Sequence, residues 1–227
     1  MLKTKPDREM KDLIKMMTDP FDGFKENSCD GFKKKCKEIA DILFCNYYID
    51  CNGKKYFFVE LEFYYWDTNQ LNERWNRVTY PRISEAGILF YHLSGVDICF
   101  ESYYNNKQLN EDARFGGVLI RAIRCNDCII AGPWNCMLEL LNECKGDKMP
   151  ELKHSKGSCI QKDVIKETYR ALGEDDRKED KKHGLNLCFY DSSIKQWNHT
   201  KVRLNKQSGR LQEYQSKYNI ERFDLQK

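Results

Sequence analysis

Asn52-Gly53 separates two runs of strand-forming residues, NYYIDC before it and KKYFFVELEFYY after it. Both central residues of a type I′ turn take positive φ, which Asn and Gly tolerate, so the dipeptide predicts a two-residue hairpin. A short strand therefore turns back into a long one. Alternation along the long strand places Glu60, Glu62 and Tyr64 on one face and Phe57, Val59, Leu61, Phe63 and Tyr65 on the other. The second set is apolar enough to be the core face. The first set offers two readings, an ordinary solvated strand face or a site built on paired carboxylates.

The remaining segments supply a layer for that strand to pack against. Phe32, Cys36, Ile39, Ala40, Leu43 and Phe44 form a helical stripe with lysines opposite, and Met10, Leu13, Ile14 and Met17 mark a shorter helix over 6–19. GILFYHLSGVDICF and FGGVLIRAIRCNDCIIAGP are β-branched and aromatic with glycines at the joints, and predict further strands. Gly132-Pro133 precedes a helix expected over 135–144, with Met137, Leu138 and Leu141 inward. Residues 145–183 are dense in charge and read as an excursion, helical only around Val164, Ile165, Tyr169 and Leu172; within it 174–184 reads as a solvated loop. GLNLCFY returns to strand character. The expected fold is a single α+β domain over 1–227, a curved mixed or antiparallel sheet with flanking helices and a core over 32–190.

Composition narrows the partners. The chain carries 38 basic against 35 acidic residues, a net charge of +3, so any nucleic-acid role has to be local. The densest basic stretch is the tail from Lys195 to Lys227, with eight basic and three acidic residues. No apolar run approaches the ~18 residues of a membrane span, and the first residues carry no apolar core of a leader, so a cytoplasmic, membrane-free monomer is expected. The 11 cysteines sit mostly among apolar neighbours, as free buried thiols do. Cys125-Asn126-Asp127-Cys128 has half the spacing of a zinc site without a second half, and reads equally as a hairpin turn, so no metal or other cofactor is expected. His154, His183 and His199 lie in charged segments and are expected at the surface.

The order of these parts resembles the alkyladenine (3-methyladenine) DNA glycosylase family. Glu60-Leu61-Glu62-Phe63-Tyr64 resembles that family's E-T-E-A-Y strand, which gives Glu62 the catalytic role and Tyr64 that of a base-stacking aromatic. Gly87 to His92 resembles the G-x-x-Y-V-Y strand and puts His92, next to Tyr91, at a second base-binding position. Val118 to Arg124 resembles V-L-L-R-A-L-E and makes Arg121 the arginine that holds the attacking water. Gly132-Pro133 and the strand at Leu187 to Tyr190 complete the match. The resemblance implies base excision in DNA repair: hydrolysis of an N-glycosidic bond, a nucleic acid or nucleotide with a modified base as partner, and release of that base.

Physical chemistry is compatible with this assignment, because such a bond breaks through an oxocarbenium-like centre that a carboxylate both stabilises and supplies with deprotonated water. Arg121 on a neighbouring strand can pair with Glu62; the alternative is a structural salt bridge between Arg121 and either glutamate. The family's pocket histidine has no counterpart in DTNQLNERWNR, where Trp75 is the candidate pocket wall, and its duplex wedge has none in His92 to Gly95. Tyr103 and Tyr104 are candidates for a displaced wedge. Asp97 is a possible second acid or a turn anchor. The competing functions are a non-catalytic nucleobase or nucleotide sensor and an interaction module on the same fold.

Overall fold

The computed structural model describes residues 10–18, 29–67, 83–92, 94–104, 113–144, 148–157, 159–170, 178, 180–182 and 186–194. Trp75, His183, His199 and the basic tail lie outside the described residues, as do residues 6–9 of the expected first helix. The architecture is α+β, and every strand pairing described is antiparallel. In chain order the elements are α1 (Lys11–Thr18), α2 (Cys29–Asn46), β1 (Tyr47–Cys51), β2 (Lys54–Asp67), β3 (Leu89–His92), β4 (Gly95–Cys99), β5 (Tyr103–Tyr104), β6 (Ala113–Cys125), β7 (Cys128–Ala131), α3 (Pro133–Asn142), β8 (Glu151–His154), β9 (Ile165–Thr168) and β10 (Cys188–Asp191).

The hairpin forms where Asn52-Gly53 predicts it, with φ of 54° at Asn52 and 89° at Gly53. Asp50 Oδ1 accepts from the Gly53 N–H and closes the turn at 3.1 Å. Cys125-Asn126-Asp127-Cys128 is likewise a turn, Asn126 having φ 53° and Cys125 pairing with Cys128 across β6 and β7. The long strand β2 is the spine. On one side it pairs with β6 along most of its length; on the other it pairs first with β1 and then with β10. Strand order along the main path is β3-β4-β6-β2-β1-β8.

One face of this sheet carries the core. The α2 stripe from Phe32 to Phe44 is buried against it, together with Met137, Leu140 and Leu141 of α3 and with Leu13 and Met17 of α1. Helix α3 begins at Pro133, two residues ahead of expectation, because proline is already set for the first helical turn.

Three expectations are corrected. Residues 145–183 are no mere excursion, since β8 pairs with β1, β9 pairs with β10, and Lys162–Val164 is a short 3-10 turn instead of the start of a helix. Ile165 is buried while Lys166 and Glu167 are exposed, and β-branched residues at Val164, Ile165 and Thr168 suit such an edge strand. In the expected solvated loop, Lys178, Lys181 and Lys182 are exposed as expected, but Asp180 is buried. His154 packs against Tyr47 with ring centroids 5.2 Å apart instead of standing free in solvent.

The grouping of β2 side chains by plain alternation also fails, for a specific reason. Leu61 pairs with Ile120, but the next pair is Glu60 with Ala122, and then Phe58 with Ile123. Arg121 on β6 and Val59 on β2 thus have no opposite residue, and the two offsets cancel. Each extra residue resets the parity of its strand. Tyr56 and Phe58 therefore join Leu61, Phe63 and Tyr65 in the core, while Phe57 moves to the face of Glu60, Glu62 and Tyr64. On β6, Val118, Ile120, Ile123 and Cys125 face the core, leaving Leu119 and Arg124 for the opposite face.

Candidate functional site

The bulge pair brings Arg121 against both glutamates. Its Nε donates to Glu60 Oε1 at 2.7 Å, and its Nη1 lies 3.0 Å from Glu62 Oε2. Tyr64 Oη donates to Glu62 Oε1, so both oxygens of Glu62 are engaged. Cys188 of β10, paired with Glu62 in the ladder, directs its thiol to Glu60 Oε1 at 3.4 Å. Glu62 is 0% exposed, and Glu60 and Arg121 are each 1% exposed, which excludes the ordinary solvated face.

Electrostatics follows from that burial. Desolvation works against the Arg121 charge, but Glu62 and Glu60 outweigh it and raise the guanidinium pKa above its ordinary value. For Cys188, burial first and then the charges of Glu60 and Glu62 push the thiol pKa well up, so it stays protonated and donates. Glu60, Glu62 and Cys188 each bring one potential metal-ligand atom within 4.8 Å of the others. A guanidinium bonded to both carboxylates stands where a cation would bind, and a protonated thiol is a poor ligand, so these residues suit an internal charge network better than a metal.

A second ionic pair seals the same face. Arg170 donates to Asp180 through Nε at 2.8 Å and through Nη2 at 2.6 Å, and both residues are buried. The Arg170 guanidinium lies over the Tyr64 ring, 5.2 Å from its centroid. One face of the expected stacking aromatic is therefore occupied.

His92 and Asp97 are brought together on β3 and β4, with Nε2 and Oδ1 3.2 Å apart. The Ser94 N–H donates to His92 Nδ1 at 3.2 Å. Asp97 pairs with Leu119, and Leu119 with Glu62, so Asp97 and Glu62 share one face two strands apart, about 10 Å between backbones. His92 also stacks on Phe90 with ring centroids 5.7 Å apart. Tyr91 is separated from this group: it packs on the core, its hydroxyl is buried there, and burial is the first cause that raises its pKa, followed by Cys144 and Cys51. Tyr103 is exposed, with the Arg114 guanidinium 5.9 Å from its ring centroid; it sits on β5 beside β6.

The sequence reading missed Cys188, Arg170 and Asp180. Cys188 was within reach, because the alternation of the LCFY strand puts it on the opposite face from the core residues Leu187 and Phe189. Arg170 and Asp180 carry no local signal, Asp180 lying in a charged run and Arg170 ten residues before it beside Tyr169.

Comparison of the chain with family models, with curated proteins and with solved structures gives no match. Fold and site together define an α+β protein whose antiparallel sheet holds a buried glutamate–arginine–glutamate network on the face opposite its core.

Thiol chemistry offers a direct check of this burial. Burial, then the neighbouring Cys144, pushes the Cys51 thiol up to about 12, and burial likewise raises Cys36, Cys136 and Cys188, whereas Cys128 is exposed. Alkylation of the native protein at neutral pH is expected to modify Cys128 and to spare Cys36, Cys51, Cys136 and Cys188 until denaturant is added. Peptide mass mapping reads the result, and early labelling of Cys188 would show the network open to solvent.

Proposed function

We propose that the protein hydrolyses an N-glycosidic bond and releases a modified or damaged base, with Glu62 as the base that activates water. The supporting observation is the placement of Glu62, a fully buried carboxylate oriented by Tyr64 on one oxygen and Arg121 on the other. Such a carboxylate takes a proton from water as the water oxygen attacks the sugar carbon, while the electrons of the breaking bond leave with the base. Its charge also faces the oxocarbenium-like centre, where a desolvated site strengthens the attraction. Arg121 holds the carboxylate, Glu60 shares the arginine, and His92, beside Asp97 and stacked on Phe90, supplies an aromatic wall on the same face.

The test is a mass-spectrometric screen for free bases released from alkylated DNA, modified RNA and modified nucleosides. Glu62→Gln is expected to reduce release by ~10²–10⁴-fold, the usual contribution of a general base, with the melting temperature near that of the native protein. Release at an undiminished rate in this variant sinks the assignment.

A second reading, a nucleobase-binding module without turnover, is favoured by the closure of the site. Glu62 is 0% exposed, and Arg170 covers one face of Tyr64. Nucleotide binding without release, indifferent to Glu62→Gln, is its signature.

A further inference from the structure

The face that carries Glu62 continues, beyond the bulge pair, into a strip of different character. Lys153 on β8 pairs with Tyr48 on β1, and the Tyr48 ring lies 6.0 Å from that of Phe57 on β2. Phe57 pairs with Arg124 on β6, and Arg124 with Ile129 on β7. Laterally paired side chains point to the same side of a sheet, so these residues form one row across five strands, about 19 Å long at the usual spacing.

Cations lie on the rings of this row. The Arg124 guanidinium is 5.5 Å from the Phe57 centroid, and Lys55 Nζ is 4.9 Å from the Tyr48 centroid. On an ordinary solvated face such cations pair with carboxylates, as Lys153 does with Asp50 at 3.6 Å and Glu151 at 3.4 Å. Asp50 stands opposite Lys55 in the β1–β2 ladder but is engaged by Lys153, and among the described residues neither Lys55 nor Arg124 has a carboxylate within 4.0 Å, while Arg124 Nε is buried without a hydrogen-bond partner. Phe57 and Arg124 are half-buried, Lys55 and Ile129 exposed, and Tyr48 is buried beneath them as support.

We propose that this strip is a platform for single-stranded nucleic acid, with bases stacking on the Phe57–Arg124 pair and phosphates meeting Lys55 and Arg124. Aromatic rings and guanidinium planes are the stacking partners of unpaired bases, and unpaired cations attract the backbone. A merely acidic peptide would use the cations but leave the aromatic row without a role. The reset of strand parity at Val59 and Arg121 puts Phe57 and Arg124 on the same face as Glu62. Glu62 stands on that same face five residues further along β2, about 16 Å from the row. The platform names the form of the substrate, and it rests on the function proposed above only for its link to Glu62.

The experiment is fluorescence anisotropy of the full chain with a labelled oligothymidylate of about 12 nucleotides, within the site sizes of such platforms. The double variant Lys55→Glu/Arg124→Glu is expected to weaken binding at least ~10-fold and to flatten the log–log salt slope by about 1.4, at ~0.7 per phosphate contact. Phe57→Leu leaves charge unchanged and is expected to weaken binding roughly 5- to 150-fold, the range for one lost stacking partner. Thermal melts verify that the variants are folded. Binding is read on unmodified oligothymidylate, without turnover, so a failure of hydrolysis and a failure of the platform register separately. No binding by the native protein, unchanged affinity in the folded variants, equal affinity for polyglutamate of matched length, or tighter binding of duplex would each overturn the proposal.

Discussion

Arg121→Met is expected to destabilise the protein by about 3–5 kcal/mol, the usual cost of leaving a buried charge without its partner. For a chain of this size that lowers the melting temperature by about 6–20 °C. The cause is explicit: two carboxylates at 0% and 1% exposure share one guanidinium, and methionine fills the volume without the charge. Glu62 keeps Tyr64 and Glu60 keeps the weak Cys188 thiol, neither of which carries a positive charge. The triple variant Glu60→Met/Glu62→Met/Arg121→Met is expected to recover most of the loss, because a buried network replaced whole by apolar side chains of similar volume is often neutral. Calorimetry on the pair of variants reads both outcomes. A single variant that melts like the native protein would show that the network contributes nothing to the fold.

Gly116→Ala is the second substitution with a large expected effect. Gly116 pairs with Tyr65 in the β2–β6 ladder. A Cβ there would press on the Tyr64 carbonyl oxygen, on Tyr65 Cα at 2.8 Å and on Tyr65 Cδ2 at 2.9 Å. Two of these atoms are backbone and cannot turn away, so the strands must part next to the residue that holds Glu62. A loss of at least about 3 kcal/mol is expected, at the upper end of overpacking costs, read by calorimetry. Gly157→Ala is the control, since its Cβ would meet nothing within 4 Å, and it should lie within about 0.5 kcal/mol of the native protein. Equal melting of the two alanine variants would show that the close approach at Gly116 is not needed.

Much of this framework is legible residue by residue. Asn52-Gly53 allows one tight turn, and the stripe from Phe32 to Phe44 buries one side of α2, because both rest on interactions within a few residues. The spacing of Glu60 and Glu62 likewise puts them on one face. What this spacing does not say is whether that face is wet. Val164, Ile165 and Tyr169 fit a helical period over a short window, yet Ile165–Thr168 is a strand, because pairing with β10 overrides that local pattern. Asp180 reads as solvated from its neighbours and is buried because Arg170, ten residues earlier in the chain, folds onto it.

The sequence by itself determined the hairpin, the amphipathic helices and the presence of two carboxylates on one side of the spine strand, each a consequence of short-range sterics and periodicity. Tertiary structure alone decided the offsets at Val59 and Arg121, which no glycine announces and which exist only in the pairing of β2 with β6. Through them it decided that Arg121 reaches both glutamates, that Phe57 and Arg124 turn to the glutamate side, and that Cys188 closes the network from β10. The physical reason is distance along the chain: Glu60 meets Arg121 across 61 residues and Cys188 across 128, and a register shared by such remote segments is set by how the whole sheet packs.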